Sequence, residues 1–101
     1  MVARTLALAL ALLAACAGPQ PTIENARATP SALPGHVRVT GQLVNHAGHG
    51  TVELDIVLRG NSTIRHDETI DIGGHETTDL AIDIAAPAGD YTVSIEPKYP
   101  N

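Results

Sequence analysis

With 101 residues, and six Lys and Arg against eleven Asp and Glu, the chain has room for one small domain and carries a formal charge of −5. That balance argues against nucleic acid, and against binding anionic lipid through a basic patch. Aromatic side chains on which bases could stack are scarce too, with two tyrosines and no Phe or Trp.

The chain opens with Arg4 and an unbroken apolar run from Leu6 to Ala15. A permanent membrane-spanning helix needs about 20 apolar residues, so this run is too short to be one. A basic start, a short apolar stretch and small residues before a cut are the features of a secretory signal, here residues 1–15. The stretch Leu13-Ala14-Ala15-Cys16 resembles the lipobox of bacterial lipoproteins. That resemblance implies a diacylglyceryl group on the Cys16 thiol, cleavage after Ala15, and anchoring in a membrane of the bacterial envelope. Because Ala17 rather than Asp follows the cysteine, it implies the outer membrane in a Gram-negative host. Cys16 is the only cysteine. A lone free thiol is unusual in an exported protein, and lipidation accounts for it. The same count excludes an internal disulfide, so the domain is stabilised by packing alone. Without the signal, five basic residues face eleven acidic ones, a formal charge of −6.

Residues 16–35 contain Pro19, Pro21, Pro30 and Pro34 and hold no sustained period. This composition predicts a disordered tether of roughly 25 Å r.m.s. span. The alternative is a short first strand over Thr22 to Ala28, but Ile23 has no apolar companions at strand spacing.

From His36 the pattern changes to a period of two. Val37, Val39, Gly41 and Leu43 share one face, and Val52, Leu54, Ile56 and Leu58 form the next apolar row. Ile64, Ile70 and Ile72 follow, then Thr78, Leu80, Ile82 and Ile84, and last Tyr91, Val93 and Ile95. Turn residues separate the rows at Asn45 to Gly50, Gly60-Asn61, Gly73-Gly74 and Pro87 to Asp90. Short strands with turns every eight to twelve residues predict an all-β domain over 36–101, an antiparallel sandwich of about five to seven strands.

Pro87-Ala88-Gly89-Asp90-Tyr91-Thr92-Val93 resembles the corner before a late strand of immunoglobulin-like and fibronectin-like domains. There a tyrosine hydroxyl returns to the backbone of the corner. Val39 to Leu58, read as an opening hairpin around a Gly-rich turn, and Ile70 to Thr77 resemble the small bacterial sandwich domains of the FxLYD and CARDB type. The resemblance implies an immunoglobulin-like sandwich and a non-catalytic accessory or adhesion-like module, with another envelope protein as its partner.

Five histidines are the most prominent candidates for chemistry: His36, His46, His49, His66 and His75. His46-Ala47-Gly48-His49 places two imidazoles on a predicted loop, suited to zinc, copper or nickel. Two ligands fill half of a tetrahedral site, so a metal-binding lipoprotein would need His66 or His75 as a third. Glu53 with Asp55, and Asp79 with Asp83, alternate with apolar residues and read as solvent faces of strands. A calcium site would instead cluster six to eight oxygen ligands. Ser62 and Ser94 sit in no nucleophile elbow, and the glycine pairs join strands rather than opening a helix around a phosphate. Asn61-Ser62-Thr63 is read as a turn. The sequence therefore predicts neither catalysis nor a cofactor.

Overall fold

Period-two alternation makes each of these rows a strand with one apolar face, and two such layers bury those faces against each other. In the computed structural model, which describes residues 18–99, the strands are β1 (Pro21–Pro30), β2 (His36–Asn45), β3 (Gly50–Arg59), β4 (Thr63–Ile72), β5 (Thr77–Ala85) and β6 (Thr92–Lys98). They form two three-stranded antiparallel sheets, β1-β2-β5 and β4-β3-β6. This is the all-β sandwich that the alternation predicts. Its strand order contains the A-B-E and C-F neighbours of immunoglobulin-like sandwiches. The expected signal, residues 1–15, and Cys16 lie outside the described residues.

The strand β1 corrects the expected tether. Residues 21–30 pair with β2 along their length, so the folded domain begins at Pro21 rather than His36. The reason the pattern hides this strand is a β-bulge. Glu24 lies opposite Gln42 and Arg27 opposite Thr40, leaving Asn25 and Ala26 opposite Gly41 alone. The extra residue flips the parity, so that Ile23 and Ala28, of opposite parity in sequence, both pack against the core. Asn25 takes a left-handed φ of 56° at the bulge, and its side-chain amide donates to Gln42 Oε1 at 2.9 Å. Gly41 makes room for the bulge: a Cβ there would stand 3.1 Å from the Glu24 carbonyl oxygen and 3.3 Å from Ala26 Cα. Pro21 and Pro30 are the first and last residues of an edge strand, where a missing N–H costs least.

A second correction concerns β2 and β3. They do not pair as a hairpin but occupy the middle of opposite sheets, joined by a crossover from Asn45 to Gly50. Both inward rows are apolar up to Asn45 at the end of β2, which suits two central strands facing each other across a core. Val39 and Leu43 from one strand, and Val52, Leu54, Ile56 and Leu58 from the other, have no exposed surface. Val37, Ile72, Leu80, Ile84 and Ala86 complete the buried cluster, with Ile64, Ile70, Ile82, Val93 and Ile95 packed on its margins. Val57 is also buried although it lies on the outer side of β3, flanked in register by Arg65 and Ser94.

The corner before β6 matches its sequence expectation. The Tyr91 hydroxyl donates to the Pro87 carbonyl at 2.7 Å, its ring half-buried against the core, and Gly89 takes a φ of +147°. Tyr91→Phe keeps the ring and orphans the carbonyl. We expect a loss of about 0.5–1.5 kcal/mol in denaturant unfolding. A neutral result would show that the hydroxyl contributes nothing to the corner.

Across β2 and β5, Arg38 and Asp83 are register partners. The guanidinium donates through Nε and one terminal nitrogen to both carboxylate oxygens, each at 3.1 Å, and the Ser31 hydroxyl adds a third bond at 2.8 Å. These donors, Arg38 foremost, hold the Asp83 carboxyl below the usual carboxylate range. A lowered pKa in the folded state stabilises above the unfolded value, and that stabilisation is lost as the pH falls through the carboxylate range. The melting-temperature gap between the wild type and Asp83→Asn should therefore be present at pH 7 and narrow in acid. A gap independent of pH would overturn this account.

Candidate functional site: the loop end of the sandwich

All strands run up and down, so one end of the sandwich collects Gly18 to Gln20, the β2–β3 crossover, the β4–β5 turn and the end of β6. The opposite end carries the β1–β2 loop, Gly60 to Ser62, and Ala86 to Tyr91. A ten-residue strand separates the two by roughly 30 Å.

Asn45 organises the first end. It continues the inward parity of Val37, Val39, Gly41 and Leu43, yet it is polar, and only 1% of its surface is exposed. Burying an amide costs free energy unless its donors and acceptors are paired. Here all are paired. Its Nδ2 donates to the carbonyls of Gly48 and Gly73, both at 2.9 Å. Its Oδ1 accepts from the backbone N–H of Gln20 at 3.0 Å and of Ala47 at 3.2 Å. One side chain thus ties the incoming chain, the β2–β3 crossover and the β4–β5 turn together. Backbone bonds reinforce the knot, with the His46 N–H donating to the Gln20 carbonyl at 3.0 Å and the His75 N–H to the Ala47 carbonyl at 3.1 Å.

The incoming chain is docked before β1 starts. Pro19 is buried against Gly50, where a Cβ would lie 2.7 Å from the proline ring. Gly18 adjoins Tyr99, whose ring occupies the place a Cβ there would take. Tyr99 itself remains 41% exposed, one of two large apolar side chains among the described residues that do so. The other, Leu33, is on the opposite end beside Pro30, Pro34, Ala86 and Ala88.

The fold separates the four histidines considered as ligands. His46, His49 and His75 line one open depression of about 540 Å³ with Gln20 and the intervening glycines. His46 Nε2 is hydrogen-bonded to Thr22 Oγ1 at 2.9 Å, and His75 adopts a left-handed φ of 56°. His66 lies mid-strand on β4, opposite Ile56, with Nε2 2.7 Å from Glu68 Oε1. It is about 20 Å along the strand from the depression. Its carboxylate partner is a neighbour on the same strand face, and the β3–β4 register runs past Asp67 and Glu68 without a bulge. Of the two candidate third ligands, the fold brings His75 rather than His66 beside His46 and His49. Among the described residues, no three His, Cys, Asp or Glu side chains are grouped closely enough to hold a metal ion. His36 is at the other end, bonded through Nδ1 to the Pro34 carbonyl at 2.9 Å.

Glu53 and Asp79 are exposed on outer strand faces, and Asp55 and Asp83 are half-exposed there, as alternation predicts. Two further parts of this end, the buried Asn45 amide and the docked Pro19, escaped the sequence reading. Asn45 was legible in principle, since a polar residue on an inward parity must find partners. No protein-family model, curated protein or solved structure matches the chain.

Proposed function

We propose that the protein is a bacterial envelope lipoprotein with a non-catalytic binding or structural role, its sandwich held at a membrane by a lipid on Cys16. The observation that carries this reading is the lipobox-like run Leu13-Ala14-Ala15-Cys16, which ends in the chain's only thiol five residues before β1. The acidic balance supports attachment by lipid rather than by a basic surface. No helix among the described residues is long and apolar enough to cross a membrane. The loops at the far end, with exposed Leu33 among prolines and alanines, offer a small apolar surface to an envelope partner.

The test is Cys16→Ser expressed in a bacterial host, followed by membrane fractionation and intact mass. The wild type should stay with the membrane after an alkaline wash and carry a diacylglyceryl mass. The variant should be soluble or unprocessed. Membrane retention of a processed Cys16→Ser form would overturn the proposal.

A further inference from the structure

We infer that the end of the sandwich carrying His46, His49, His75 and Tyr99 faces the lipid headgroups, and that the domain stands on the membrane rather than lying along it. The inference rests on the lipoprotein reading and adds an orientation to it. Its basis is the length of chain left between the lipid and the first docked residue. Three residue steps separate Cys16 from Pro19, a reach of at most about 11 Å even when fully extended. Pro19 is buried against Gly50, and Gln20 is bonded to Asn45 and His46. The attachment point therefore cannot wander far from the loop end. A 20-residue tether would have let the domain tumble; a docked chain of this length does not.

Reach alone would still allow the domain to lie on its side, and the distribution of charge decides between the two poses. The outer faces of the sheets carry Glu53, Asp55, Asp67, Asp79 and Asp83, against Arg38, which pairs with Asp83, and Arg65 and Lys98, so acidic groups outnumber basic ones there, within a mature chain of formal charge −6. Laying either face on an anionic leaflet would bring like charges together and desolvate them. The loop end instead presents imidazoles, glycine backbone and the exposed ring of Tyr99, with one turn carboxylate, Glu76, that accepts from the Gly73 N–H at 3.0 Å. A tyrosine with an apolar body and a polar tip suits the headgroup layer. Upright placement also directs Leu33 and the far loops away from the bilayer, where a partner can reach them.

The experiment uses the full lipidated protein in vesicles of phosphatidylethanolamine and phosphatidylglycerol containing a lipid with a nitroxide headgroup. Lipidation occupies the native thiol, so a single new cysteine can be labelled with a fluorophore. His49→Cys reports the loop end, and Asn61→Cys reports the far end; both sites are exposed. With intact mass confirming the lipid, the His49 site should lose most of its emission to the nitroxide while the Asn61 site keeps its own. Equal quenching at both sites would mean the domain lies flat, and stronger quenching at Asn61 would mean it is inverted. Either result, with the lipid present, overturns the orientation and leaves the lipoprotein reading standing. Absence of the lipid mass overturns both.

Discussion

Replacing Ile56 with alanine should lower the unfolding free energy by about 2–5 kcal/mol, measured by denaturant unfolding of the soluble domain. Ile56 has no exposed surface and lies at the centre of β3, the middle strand of its sheet. Removing its branched chain forfeits the transfer energy of the deleted carbons and leaves a cavity between two sheets that cannot fully collapse. A domain this small has a total stability of about 5 kcal/mol or little more, so the variant should be largely unfolded at moderate temperature. Ile82→Ala should cost less. Ile82 shares the inward parity but sits on the edge strand β5 and is only partly buried. Glu53→Ser and Asp79→Ser, on exposed outer positions, should stay within roughly 0.5 kcal/mol of the wild type. Equal tolerance at the inward and outward sets would refute the strand phase.

Asn45→Ala should be nearly as damaging, by a different route. The substitution removes four hydrogen bonds and leaves two N–H groups and two carbonyls to find water in a tightly closed end. At about 1 kcal/mol for each bond, and more wherever a partner stays dry, the loss should be on the order of 3 kcal/mol. Asn45→Asp should not rescue it. A carboxylate keeps the two acceptor contacts but cannot donate to Gly48 and Gly73, and it places a charge where almost no solvent reaches. Amide hydrogen exchange separates this from a general loss of stability. In a variant that remains folded, the Gln20 and Ala47 amides should exchange faster while amides in the middle of β3 keep their protection. Uniform acceleration along the chain would show that Asn45 stabilises the domain without fixing this end in particular.

These two residues also show how differently parts of the fold could be read. Ile56 belongs to a row of four apolar residues at strict period two, and such a row leaves little choice about which face goes inward. Asn45 sits on the same kind of row one strand earlier, but its type suggests a turn, and two of its four partners, Gln20 and Gly73, are 25 and 28 residues away. Partners at that separation are invisible until the strands are in register. Likewise His66 and His75 are equivalent as third ligands on the sequence line, yet they end up about 20 Å apart along β4 and the turn that follows it.

By itself, the sequence determined the all-β class, the inward faces of β2 to β5 and the tyrosine corner. Each is written in local chemistry: a period of two or a turn residue. The tertiary structure alone decided where the domain begins, how the strands divide between sheets and which loops meet. The bulge at Asn25 and Ala26 breaks the parity of β1, so only its pairing with β2 reveals it as a strand. The crossover after Asn45 looks like any hairpin loop, and what sends β3 to the other sheet is the core that both inward rows must share. Burial is a property of two surfaces, and a sequence displays them one at a time.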